Sequence, residues 1–465
     1  MLVTKRRKFT LPDIVLNGRK IDIVPNIKIL GLIVDSKLTW NAHLDYIKSK
    51  SLKINNIIRR KYSSNWGLSF DVLRTIYLQA IEPMILYACP IWCDVLNFST
   101  KRQKLLSIQR AFIIGMIRAF RTVSLEASLV IAKCPPIDLK LRFYSNIFSI
   151  KHNNSFSDYQ LPLDFADTIH PAKINISIAC NDFDDVCDFA HDYVIFTDGS
   201  KIDGQVGASF VVFSGANDFS PLLVKKFRLA NDCSVFQSEL FAILQAISWI
   251  VENNASNTRI FCDSKSALMS IRNIYSTNKL VQNIFSRIHG QHICLNWTKS
   301  HNGNFGNDLA DYFAKLAAFL DSIVYNSISL SSAYYGFNTQ LLYDWNLAWQ
   351  SSINGSLTRR FIPSIDFRLA TDLCPDFTLT QFLTGHGKFK SYFHRFGLST
   401  LDHCFCGHGP QTPLHLIFDC PLFADDRFVL ICKIGSFQRS DLSHLLSREI
   451  LPNFVIFLKN IFRLL

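Results

Sequence analysis

The sequence predicts an α/β domain, a mixed five-stranded sheet with flanking helices, over residues 189–322. It predicts a mainly helical, basic region before that domain (1–150, followed by a linker at 151–188) and a mainly helical tail after it (323–465). Three observations lead there. Strand-length apolar segments begin at Tyr193 and alternate with helical periodicity; a charge imbalance is confined to the first third; and a Cys/His cluster lies near residues 404–420.

In chain order, DIVPNIKILGLIV (22–34) reads as a short strand region ending in a Gly turn. From Thr39, Leu44, Ile47, Ile54 and Ile58 recur at helical spacing, with Lys48, Lys50, Lys53, Arg59 and Arg60 between them. A second helical stretch starts at Asp71 and breaks near Pro83, because proline lacks the helix N–H and collides with the preceding turn. A third, again basic, runs from Lys101 to Phe120. Residues 151–188 lose periodicity and turn polar (HNNSFSD, NDFDDVCD), as a linker does. YVIFTD, ASFVVF and LLVKKFRL then read as strands and SVFQSELFAILQAISWIV as an amphipathic helix. TRIFCD is a strand, SALMSIRNIY a helix, ICLNW a strand and GNDLADYFAKLAAFL a final helix, with Leu309, Phe313 and Leu316 as its apolar side.

Composition narrows the function classes. Hydrophobic residues make up 48% of 465, enough for a large core rather than a disordered chain. There is no uncharged apolar run of 18 residues, so no membrane span or membrane partner is expected. MLVTKRRKF has no long apolar stretch after its basic cluster and does not read as a secretory signal. Thirteen scattered Cys favour a reducing, intracellular setting, with free thiols and one metal cluster. Residues 1–150 hold 24 Lys and Arg against 9 Asp and Glu, whereas the rest of the chain holds 25 against 28. Such asymmetry points to a polyanion, most simply nucleic acid, met by the first third.

The α/β block carries four acids of interest. Asp198 ends the apolar run YVIFT and Asp263 ends RIFC. A carboxylate at the end of a buried strand is costly unless paired or bound to a cation, although either could be a turn former. Glu239 lies at the edge of the apolar stripe Phe236, Leu240, Ile243, Leu244 and Ile247, where a solvated Glu is out of place. Asp311 shares a helix face with Asp308 and Lys315, so on its own it reads equally well as half of an ion pair. Together, two strand-end Asp and two helix-borne acids can converge at one sheet edge, where mutually repelling carboxylates call for hard cations.

FTDGSK (196–201), QSELFAILQAI (237–247), FCDSKSAL (261–268) and WTKSHNGNFGNDLADYFAK (297–315) resemble, in order, the four blocks of a type 1 ribonuclease H domain. That resemblance implies that Asp198, Glu239, Asp263 and Asp311 hold two Mg²⁺ or Mn²⁺ ions. It implies that His301 assists proton transfer or product release, and that Gly199, Ser200 and Asn307 contact substrate. The implied reaction is hydrolysis of the RNA strand of an RNA·DNA hybrid, with two ions about 3.5–4 Å apart. ILGLIVDSKLTWNAHLDYIKSKS (29–51), WGLSFDVLRTIYLQAIEPMILYACPIW (66–92) and CPPIDLKLR (134–142) are similar to the thumb and connection region of non-LTR retrotransposon reverse transcriptases. The similarity starts downstream of that family's palm, so polymerisation is not expected, and the basic region is expected to grip the hybrid.

The tail pattern C-x-C-x8-H-x4-C (Cys404, Cys406, His415, Cys420) suits one tetrahedral Zn²⁺, with His403 and His408 as rival ligands. Phe423-Ala424-Asp425-Asp426 mimics a polymerase acid tetrad but lies after the ribonuclease H-like block and outside any apolar hairpin, so it reads as coincidence. Two other functions compete with the hydrolase: a catalytically inactive nucleic-acid-binding remnant of a retroelement polyprotein, and a DDE-type recombinase, which the SHNGNFGNDLAD block disfavours.

Overall fold

Apolar alternation from Tyr193 onward becomes a sheet in the computed structural model, which describes residues 3, 15–63, 66–152, 162–168, 192–215, 220–255, 257–288, 293–300 and 303–465. The linker read at 151–188 falls largely outside the described residues. The chain divides into two units, Ile147–Phe337 and the combination of Met1–Asn146 with Asn338–Leu465.

In the first unit, β1 (Tyr193–Ile202) and β2 (Gln205–Ser214) pair antiparallel from Tyr193↔Ser214 to Ile202↔Gln205. Asp203 and Gly204 form the two-residue turn, both at positive φ, which suits the twist of the hairpin. β3 (Leu223–Leu229) follows antiparallel to β2, while β4 (Thr258–Cys262) and β5 (Ile293–Trp297) add in parallel on the other side of β1. The order is β5-β4-β1-β2-β3-β6. β6 (Ile323–Tyr325) is one strand more than the sequence predicts and begins past the expected boundary at 322. It is three residues long, pairs irregularly with β3, and lies in Ser/Asn-rich text with no strand period.

α1 (Val235–Glu252) starts with a capping box between Ser234 and Gln237. It is long and apolar enough to cross a membrane, yet mostly buried within this unit. Ile195 and Phe210 of the sheet meet Leu240, Ile243 and Ile247 of this helix. Each such fully buried aliphatic contributes about 1.5–3 kcal/mol. α2 (Lys265–Arg272) and α3 (Lys279–Ile288) join the same core. α4 (Phe305–Ala317) covers the other sheet face over Phe196, Val211 and Phe213. The expected Leu309 and Phe313 pack half-buried against this core, but Leu316 is 42% exposed and the fully buried side is Gly306, Asn307, Ala310, Ala314 and Ala317. Gly207 explains this. A Cβ there would lie 2.2 Å from the Ala314 carbonyl, so the helix backbone rests against β2 and only small residues fit between.

In the second unit, a hairpin (Asn26–Ile29 with Leu32–Asp35) turns at Leu30-Gly31 and leads to the helix Asn41–Arg59, whose Lys48, Lys50, Lys53 and Arg59 are exposed. The stretch around Pro83 contains a π-helical turn, Tyr77–Ile81, between the helices Phe70–Ile76 and Glu82–Leu86, which relieves the clash proline makes with the turn before it. The basic region and the tail, read separately from sequence, share one core that joins Ile113 and Ile131 to Trp349, Phe382, Phe454 and Ile461. Arg368, 1% exposed, ties them together by donating to the carbonyls of Val130, Ile131, Thr371 and Leu373 at 2.9–3.3 Å. Burial pushes its guanidinium down to about 10, with Arg74 acting the same way.

Candidate metal centres

The sheet unit gathers the four acids from four elements. Asp198 sits on β1 opposite Ser209 and is 5% exposed; Glu239, in the second turn of α1, is 6% exposed. The approach of α1 to β1 depends on Gly199, because a Cβ there would lie 2.5 Å from the Glu239 backbone nitrogen and 2.5 Å from Ser238 Oγ. Asp263 follows β4. Its carbonyl accepts from Trp297 Nε1 at 3.0 Å, and its Oδ2 accepts from Asn307 Nδ2 at 3.5 Å. Asp311 is held by an ion pair with Lys315 at 2.5 Å one turn later.

Electrostatics couples these groups. Burial, then the charges of Asp263 and Asp311, push Asp198 up to about 8, partly offset by Lys315. Burial, then Asp198 and Asp263, hold Glu239 well above the usual carboxylate range. Asp308, three residues before Asp311, is exposed on the helix. Carboxylates arranged this way cannot all ionise unless a cation sits among them, and an all-oxygen donor set suits Mg²⁺ or Mn²⁺.

One neighbour escaped the sequence reading. Cys262, fully buried, lies with its Sγ 3.7 Å from Glu239 Oε2, and the ligand atoms of Glu239, Cys262 and Asp263 fall within 4.8 Å of one another. Burial, then Glu239, push its thiol well up. Its signal was present, since strand alternation places Cys262 and Ile260 on the same side, toward α1. Of the three residues expected at substrate, Ser200 is partly exposed, whereas Gly199 and Asn307 are buried. Gly199 is buried by helix packing, and Asn307 by its contact with Asp263, leaving its Oδ1 without a partner. His301 lies outside the described residues.

In the tail unit, Cys404, Cys406, His415 and Cys420 bring their ligand atoms within 4.8 Å of one another. Cys404 Sγ lies 3.8 Å from Cys420 Sγ, and Cys406 Sγ lies 3.2 Å from His415 Nε2. A tight turn presents the first pair: Gly407 N–H donates to the Cys404 carbonyl, and His408 N–H donates to Cys406 Sγ at 3.4 Å. A π-helical turn, His415–Asp419, delivers the second pair. Burial is the largest single effect on the Cys406 thiol and raises it, but the His408 N–H and hydrogen bonds from Cys404, His415 and Cys420 together outweigh it and draw the thiol down to about 6, whereas burial and then the neighbouring thiols push Cys420 up to about 12. Three thiols and an imidazole at these separations suit tetrahedral Zn²⁺. The rivals are engaged elsewhere, His403 with Asp402 and His408 with the Cys406 carbonyl. Asp425 and Asp426 open the helix Ala424–Ile434, where its dipole favours negative charge.

Residues 190–319 match the family model described as RNase H. A 115 kDa protein of the type-1 retrotransposable element R1DM of Drosophila melanogaster is 26% identical over 140 residues, which is 30% of this chain and 14% of that protein. A retrovirus-related Pol polyprotein from the type-1 retrotransposable element R1 of Bradysia coprophila is 39% identical over 93 residues, 19% of this chain and 9% of the relative. The matched parts thus span well under two thirds of these relatives. Among solved structures, the foamy-virus (PFV) RNase H domain is 19% identical, covers 30% of this chain and 98% of that domain, and has a TM-score of 0.26.

Proposed function

We propose that this chain, which carries a ribonuclease H domain at residues 190–319 and whose relatives are R1 retrotransposon polyproteins, hydrolyses the RNA strand of RNA·DNA hybrids. The observation that carries the reading is the convergence of Asp198, Glu239, Asp263 and Asp311, with two of them held far above the ordinary carboxylate range by burial and by one another. Those four residues would hold two Mg²⁺ or Mn²⁺ ions, which when bound supply an activated water and stabilise the leaving 3′-oxygen. Asn307 orients Asp263, and Lys315 neutralises Asp311 until a cation displaces it. Ser200, partly exposed beside Asp198, is placed to meet a 2′-hydroxyl, the group that distinguishes RNA from DNA. His301 assists proton transfer or product release. Exposed lysines of the first 150 residues grip the hybrid's phosphates, so binding weakens with salt. Cys404, Cys406, His415 and Cys420 hold one structural Zn²⁺, and the many free thiols among the described residues favour work inside the cell, although Cys294 is disulfide-bonded.

The test is cleavage of an end-labelled hybrid with Mg²⁺ by the parent, Asp198→Asn, Asp311→Asn and Asp308→Asn. RNA-strand cleavage lost in the first two variants and kept in the third is the expected result. Salt-dependent binding without cleavage by the parent would overturn it in favour of an inactive binding remnant.

A further inference from the structure

The acid centre holds one side chain that a site for hard cations does not call for. Cys262, the last residue of β4, lies on the α1 side of the sheet, and its Sγ is 3.7 Å from Glu239 Oε2. A buried cysteine usually packs as a small apolar group. This one also meets a carboxylate, and the ligand atoms of Glu239, Cys262 and Asp263 lie within 4.8 Å of one another. Mg²⁺ takes oxygen ligands and leaves a sulfur aside, whereas a thiolate selects Zn²⁺ and ions like it.

The separations fit a soft ion. A tetrahedral Zn²⁺ bonded to sulfur at about 2.3 Å and to a carboxylate oxygen at about 2.1 Å holds those two atoms about 3.6 Å apart. The 3.7 Å between Cys262 Sγ and Glu239 Oε2 matches that spacing. Asp263, half-buried just past the strand, supplies the third ligand and the way in. Two further features prepare the place. The Ser264 N–H donates to Cys262 Sγ at 3.3 Å, as the His408 N–H, also two residues on, donates to Cys406 Sγ at 3.4 Å in the tail cluster. Asn307, 3% exposed, touches Asp263 Oδ2 through its Nδ2, while its Oδ1 is buried without a partner. An acceptor stranded beside a carboxylate is a cost that a cation removes.

We propose that Glu239, Cys262 and Asp263 form a competing site within the acid centre for a thiophilic divalent cation, Zn²⁺ or Cd²⁺, and that filling it stops hydrolysis by taking two of the four acids from the hard ions. On binding, the Cys262 thiol gives its proton to solvent, and a metal–sulfur bond replaces the S–H bond. The arrest rests on the reading of the acid centre as a hydrolase site; the binding does not.

The test measures binding and cleavage separately. The full chain is dialysed against increasing Zn²⁺, and bound Zn²⁺ per chain is measured for the parent, Cys262→Ser and Cys262→Ala. The parent should bind one Zn²⁺ more than either variant until the Zn²⁺ concentration is raised at least about tenfold, since losing a ligand costs no less than the about 10–100-fold lost with a ligand's supporting partner. In hybrid cleavage with Mg²⁺, the Zn²⁺ concentration that halves each protein's own rate should rise by a similar factor in both variants, and in the parent it should rise with added Mg²⁺. Glu239→Gln removes a repelled carboxylate rather than a packed thiol. It should lose the same Zn²⁺, and so covers the case in which the cysteine variants misfold. Equal Zn²⁺ uptake by the parent, the cysteine variants and Glu239→Gln would overturn the proposal, whether or not the parent cleaves. So would a Zn²⁺ arrest that Cys262→Ser and Cys262→Ala leave unchanged.

Discussion

The acid centre and the Cys/His cluster each gather four potential ligands, but on different scaffolds and with different donor chemistry. Asp198, Glu239, Asp263 and Asp311 are like charges fixed on strands and helices, and burial first, then their proximity, raises two of them far above their ordinary titration range. Cys404, Cys406, His415 and Cys420 sit on a turn and a π-helical turn and already contact one another, with one thiol, Cys406, drawn down and another, Cys420, pushed up. A rigid scaffold can hold groups that repel and leave a cation exchangeable. A site on short turns, built from three thiols and an imidazole, suits a metal that stays and fixes the turns in place.

The comparison is broken most directly by activity. Asp198→Asn and Asp311→Asn should each lower hybrid cleavage by roughly 10³-fold, because each removes several kcal/mol of cation-mediated stabilisation, while Asp308→Asn stays within about threefold; single-turnover cleavage rates decide it. Next in size is the soft site. Elemental analysis should find about one Zn per chain, and Cys406→Ser should lose it and lower the melting temperature of the tail-containing unit, since binding energy at a structural zinc is folding energy.

A third prediction concerns the strain stored among the acids. The folded-state value for Asp198, about 8, lies above its ordinary 3.8. Between those values the folded chain holds a proton that the unfolded chain has lost. The contribution of Asp198 to stability without Mg²⁺ or Mn²⁺ is therefore fully present below about pH 4 and is lost as pH rises through 8, by on the order of a few kcal/mol. Asp198→Asn should thus melt higher than the parent at pH 8 without these cations, with the gap closing toward pH 4. The smallest effect sharpens the picture at its rim. Lys315→Gln releases Asp311 from a partly exposed pair, so the Mg²⁺ concentration for half-maximal cleavage should fall by about two- to threefold.

Much of the site was legible because its residues sit where periodicity changes. Asp198 closes the apolar part of β1, which runs on to Ile202 rather than turning there, Asp263 follows the apolar strand β4, and Glu239 interrupts an apolar helix face. The small-residue side of α4 was not legible, since Ala310, Ala314 and Ala317 carry little hydrophobic signal beside Leu309, Phe313 and Leu316, and the deciding residue, Gly207, is a hundred positions away. α3 was readable but unread: Leu280, Val281, Ile284, Phe285 and Ile288 have helical spacing within a polar stretch. Asp164 had no readable signal. It is buried and accepts from Gln237 Nε2, Asn278 Nδ2 and the Leu280 N–H, contacts that join segments far apart in sequence.

The shared core of the basic region and the tail bears on the order in which a ribosome delivers its parts. Ile113 and Ile131 emerge early, but their partners Trp349, Phe382 and Phe454 follow only after roughly 190 intervening residues, about 10–40 s of translation. During that interval one half of an apolar core waits for the other, while the sheet unit, whose strands and helices are contiguous, has all it needs to close. The nascent basic region is thus the part of this protein that most calls for a chaperone.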